Sequence, residues 1–125
     1  MSLYPMAVNP ICGHCSRMIL NMEKAFEATD KEIFCSKFEH QEEMKLRKIR
    51  GHIHTIKTFT PIGKHIADMP FHNLARAREV GLQYLQAITG LFERVKEPER
   101  ITPHMREIAQ TLGLENDIFL PNLPA

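Results

Sequence analysis

Between Cys12 and Leu112 the apolar residues recur at steps of three and four, and prolines at 61, 70, 98 and 103 cut the pattern into segments. Apolar positions that return once per helical turn gather on one side of a helix, whereas on a strand they would be thrown to both faces. The chain is therefore read as all-α. It is expected to form a compact four-helix bundle-like single domain over residues 1–125, with an N-terminal arm over 1–10 and an irregular apolar tail over 114–125.

The first stripe, Cys12, Cys15, Ile19, Met22 and Phe26, predicts a helix over 12–29, opened by Asn9-Pro10. Asp30 is the expected cap of a second helix over 31–59, with Cys35, Phe38, Glu42, Ile49, Ile53 and Ile56 on one stripe. The β-branched stretch His52–Thr60 has a strand as its rival. Two-residue alternation would group Ile53, Thr55, Lys57 and Phe59, which is no clean apolar face, so the helix is preferred. Asp68 and Pro70 open a third helix over 69–96, after a connection that holds one short helical turn. Its apolar arc is wide, with Leu85, Ile88 and Phe92 on one stripe and Tyr84, Ala87 and Leu91 on another. Such an arc suits a central helix or one that also meets a second chain, and it predicts a homodimer. Thr102-Pro103 is the expected cap and first residue of a fourth helix over 103–112, and Gly113 its left-handed stop.

Charge narrows the partners. Sixteen basic residues stand against fifteen acidic ones, a net of +1, so no broad basic field points to nucleic acid. No apolar run approaches the ~20 residues that span a bilayer, and the opening Met1-Ser2-Leu3-Tyr4-Pro5 does not read as a secretory signal. Three cysteines, an odd number, predict a cytoplasmic chain with free thiols or metal ligands instead of a disulfide framework.

The chemistry concentrates in Ile11-Cys-Gly-His-Cys-Ser-Arg17. Cys-x-x-Cys is half of many zinc sites. Here the other half is sought around Phe34-Cys-Ser-Lys-Phe-Glu-His40, which makes Cys12, Cys15, Cys35 and His40 the best set for zinc or another transition metal. His52 is the nearest further donor if the first two helices form a hairpin, with His14, His65 and His72 in reserve. That hairpin would hold Cys35 ~15 Å from Cys15, at ~1.5 Å of rise per residue. The set closes only if residues 12–34 are not one straight helix, or if Cys35 precedes its helix.

The stretch Cys12-Gly-His-Cys-Ser-Arg-Met-Ile-Leu-Asn-Met-Glu-Lys-Ala-Phe26 also resembles the active-site helix of the protein disulfide isomerases, a thioredoxin-fold family. The resemblance implies Cys12 as attacking thiol and Cys15 as resolving thiol. Ile11 stands where that family has tryptophan, and eleven residues precede Cys12.

Other signals are weaker. Glu42 falls on the apolar face of the second helix, as a pocket group or an ion-pair partner of Arg17, Arg76 or Arg78. Pro103–Asp117 is similar to the first helix and turn of a helix-turn-helix DNA reader, but no basic recognition helix follows. No Glu-x-x-His pair, phosphate-binding glycine loop or nucleophile–base set occurs, so neither a nucleotide cofactor nor an enzyme is indicated. The sequence thus predicts a small metal-binding or thiol-sensing helical protein. The alternatives are a non-catalytic dimeric interaction module with passive cysteines and a protein partner, and a dithiol oxidoreductase.

Overall fold

The computed structural model describes residues 10–28 and 32–118. In chain order it holds β1 (Phe26–Glu27), β2 (Ile33–Phe34), α1 (Lys37–Phe59), α2 (Lys64–Ala67), α3 (Leu74–Gly90), a 3-10 turn (Phe92–Arg94) and α4 (Pro98–Leu112). The structure is mostly helical, with one small two-stranded sheet. It divides into two compact units, Met1–Met44 and Lys45–Ala125. No helix among the described residues is long and apolar enough to cross a membrane.

The expected helix over 12–29 does not form. Its described part is a tight turn followed by the hairpin strand β1. Ile11 pairs with Met18 in an antiparallel bridge, and the N–H groups of Cys12 and Ile19 donate to the carbonyls of Arg17 and Pro10, both at 2.8 Å. These bonds run across the turn, so the donors are unavailable for a helical ladder. The three-and-four spacing misled because only part of the stripe is buried: Cys12 and Ile19 are covered, while Met22 is half exposed. β1 then pairs antiparallel with β2, Phe26 opposite Phe34 and Glu27 opposite Ile33.

α1 starts at Lys37, later than the expected 31. Asp30, the expected cap, lies outside the described residues, as do the arm over 1–9 and the tail from 119 onward. The cap that acts is Ser36, whose Oγ accepts the Glu39 N–H at 3.2 Å. Helical pattern then wins over β-propensity as far as Phe59.

In the second unit the core gathers Leu46, Ile49, Ile53 and Ile56 of α1 with Ala77, Val80, Tyr84, Leu85 and Ile88 of α3 and Met105 and Ile108 of α4. Tyr84, placed by the sequence on a face that could meet a second chain, is fully buried within this core. α3 begins five residues later than expected, because Asn73 caps it by accepting the Arg76 N–H at 2.8 Å. α4 begins at Pro98 instead of 103. The Thr102 hydroxyl does not cap a helix start but donates to the Pro98 carbonyl at 2.8 Å. Pro103 lies inside the helix, at an exposed position in its second turn. Gly113 ends the helix in the left-handed conformation (φ 68°), as expected.

Candidate metal centre

The turn at residues 11–18 presents two sulfurs from one small loop. The Cys12 carbonyl accepts the Ser16 N–H at 3.1 Å. Ser16 itself sits at φ 63°, a left-handed conformation that favours glycine. The Gly13 N–H donates to the Ile33 carbonyl at 2.9 Å, which attaches the turn to β2. β2 ends at Phe34, so the next residue, Cys35, arrives beside the turn before α1 begins. Glu39 follows one helical turn later.

The result is a cluster of four donors. Ligand atoms of Cys12, Cys15, Cys35 and Glu39 all lie within 4.8 Å of one another. Cys15 Sγ is 3.7 Å from Cys35 Sγ, and Cys12 Sγ is 3.9 Å from Glu39 Oε1. Two thiolates bound tetrahedrally at ~2.3 Å stand ~3.8 Å apart, and a thiolate and a carboxylate oxygen ~3.6 Å apart. A disulfide would need ~2.05 Å, and all three cysteines are free. The separation that the straight-helix layout imposed on Cys35 is thereby overturned.

Electrostatics differ from thiol to thiol. Burial works to raise Cys12, but backbone N–H groups of Cys15, His14 and Cys35 outweigh it and hold the thiol below its ordinary range. Two of these bonds measure 3.4 Å from His14 and 3.3 Å from Cys35. Cys35 goes the other way. Burial pushes it well above the ordinary thiol range, reinforced by hydrogen bonds to Glu39, Cys15 and Cys12 and by the charge of Cys12. The cluster holds one favoured thiolate and resists a second, the charge state that a bound cation would relieve.

His14 is not among the clustered donors. Its Nδ1 meets Glu43 Oε1 at 3.0 Å and its Nε2 meets Glu42 Oε1 at 3.1 Å. Burial opposes its positive charge, but the bond to Glu43 and the charges of Glu42, Glu43 and Glu39 prevail and raise its pKa. His14 thus ties the turn to the second turn of α1, and it is a partner of Glu42.

The remaining sequence candidates are dispersed. The ring of His40 packs on Phe26 and Phe34, with centroids 4.7 and 4.9 Å away. His52 lies in the second unit, where its Nδ1 is 2.8 Å from that of His104. His65 and His72 are exposed in the same unit. Glu39 is the donor that sequence reasoning missed. Its signal was Ser36-x-x-Glu39, the capping-box spacing, which marks a helix start after Cys35 and turns Cys35 and Glu39 toward one side. No protein-family model, curated protein or solved structure matches the chain.

Proposed function

We propose that the N-terminal unit is a metal-stapled module in which Cys12, Cys15, Cys35 and Glu39 hold one zinc-like ion. The convergence of three sulfurs and a carboxylate oxygen within 4.8 Å carries this reading. The fit of the 3.7 and 3.9 Å separations to tetrahedral coordination favours zinc over ions that prefer six oxygen ligands. In this reading Glu39 is the fourth donor, the His40 ring is packing, and His52 serves elsewhere. The need is physical as well. Among the described residues, the buried apolar core of this unit comprises Cys12, Ile19 and Phe34, beside a sheet of two short strands. Units of this size rarely stay folded without a staple. Ligation would fasten the turn, the end of β2 and the first turn of α1 to a common point. Loss of the ion, or oxidation of the thiols, would release them, which is the form a thiol sensor would take. Such chemistry requires a reducing compartment.

Elemental analysis of untagged, full-length protein tests the reading. One equivalent of metal is expected, with Cys35→Ser lowering the content and chelation lowering the melting temperature. A metal-free preparation whose melting is unchanged by chelator would overturn it.

A second reading, a non-catalytic interaction module, is favoured by exposed apolar side chains. Ile11, Met18, Leu20, Met22 and Phe38 in the first unit are all at least half exposed. In the second unit Leu91 is 40% exposed, just past the end of α3. Homodimerisation belongs to this reading, and sedimentation of the wild type against Leu20→Glu and Leu91→Glu variants measures it.

A further inference from the structure

His52 and His104 lie apart in sequence, on α1 and α4, but within the same compact unit. Their Nδ1 atoms face each other at 2.8 Å, with the rings tilted by 51° and their centroids 5.0 Å apart. The backbones that carry them are fixed. Ile49, Ile53 and Ile56 of α1 and Met105 and Ile108 of α4 are buried in one core. Both residues are half-buried.

Two facing imidazole nitrogens have two uses. One ring can donate an N–H to the other, which requires one defined tautomer on each side. Alternatively both can present lone pairs to a cation. Nitrogens bound at ~2.0–2.1 Å stand ~2.9 Å apart when the angle at the ion is ~90°, and ~3.4 Å apart at a tetrahedral angle. The observed 2.8 Å matches the right-angled separation more closely than the tetrahedral one. Right-angled nitrogen ligation is the preference of divalent nickel and copper.

The surroundings favour this occupancy. Burial, followed by the nearness of His104, keeps His52 below the usual imidazole range, so it is neutral and its lone pair is available. Glu107, one turn along α4 from His104, adds negative charge at the pair. Its contact with Lys48 is a 3.5 Å bridge between side chains that are 50% and 39% exposed, a weak, solvent-screened pair that a cation can replace.

We propose that His52 and His104, with Glu107 as a charge-compensating neighbour, form a binding site for a divalent ion of the nickel–copper class, separate from the cysteine cluster. Water completes the coordination shell. The proposal does not depend on the cysteine site.

Histidine-ring NMR of the full-length protein, titrated with Ni²⁺ in the presence of one equivalent of Zn²⁺, tests it. The expected result is selective paramagnetic broadening of the His52 and His104 rings at substoichiometric Ni²⁺, with His54, His65 and His72 affected later. His104→Gln is expected to weaken Ni²⁺ binding at His52 at least tenfold, while His54→Gln leaves it unchanged. Broadening spread evenly over all histidines, or unchanged broadening of His52 in His104→Gln, would overturn the proposal. The wild-type titration decides by itself if a variant fails to fold. Failure to take up zinc would count against the cysteine site and leave the histidine readout intact.

Discussion

Gly13 faces the buried ring of Phe34 so closely that a Cβ in its place would lie 2.8 Å from one ring carbon and 2.9 Å from the next. The same residue donates its N–H to Ile33, so the turn cannot simply back away. Gly13→Ala is therefore expected to cost ~1–3 kcal/mol, the usual range for overpacking a tight contact. It should also weaken metal uptake, because it displaces Cys12. Thermal melting and a zinc competition assay on the variant check both effects, and wild-type values in both would show that the turn is looser than its contacts imply.

Ser16 raises the converse expectation. At φ 63° it occupies a conformation that costs an L-residue ~1–2 kcal/mol. Its side chain is exposed, so little packing is lost with it. Ser16→Gly is expected to raise stability by ~0.5–1 kcal/mol after the larger chain entropy of glycine is subtracted. Denaturant unfolding of the metal-loaded protein measures the difference, and a destabilised variant would contradict the assignment of this turn.

Much of the second unit was legible in the sequence, because its helices are long enough for the three-and-four pattern to repeat. Leu46, Ile49, Ile53 and Ile56 announce α1, and Gly113 ends α4 where expected. Helix starts were harder. At α3 and α4 a proline drew attention from the residues that open the helix, Asn73 and Pro98. The first unit misled because its two strands are only two residues long, too short for alternation to register. Cys12 and Cys15 were singled out by spacing, yet their union with Cys35 depends on a turn stabilised by backbone bonds, which side-chain patterns do not encode. Glu39 is not legible as a donor while Asp30 is taken as the cap, because only the start at Ser36 brings it beside Cys35.

Metal uptake should release protons. Cys35 is held protonated by burial, with Glu39, Cys15 and Cys12 adding to the effect, and a thiol must lose its proton to ligate. Zinc affinity of the full-length protein is thus expected to rise with pH between 6 and 8, by roughly tenfold per pH unit for each proton displaced. Titration calorimetry in buffers of different ionisation enthalpy counts the protons. The slope should fall by about one proton in Cys35→Ser, if that variant still binds. A pH-independent affinity would show that Cys35 does not join the ion.

Tyr84 gives the last expectation, in the helical unit. Its side chain is fully buried, and among the described residues nothing hydrogen-bonds its hydroxyl. An unsatisfied buried hydroxyl costs ~1–3 kcal/mol, so Tyr84→Phe keeps the shape and is expected to raise stability by about 1 kcal/mol. Burial, and secondarily the charge of Asp68, pushes the phenol above its ordinary value near 10. The folded chain therefore keeps its proton when the unfolded chain has begun to lose it. Stability linked to this group is complete below pH ~10 and declines as pH rises from there toward the folded value. The wild type should lose melting temperature between pH 9 and 11 faster than Tyr84→Phe, which has no phenol to ionise. Parallel alkaline melting curves for the two proteins would show that the hydroxyl has found a partner or reaches water.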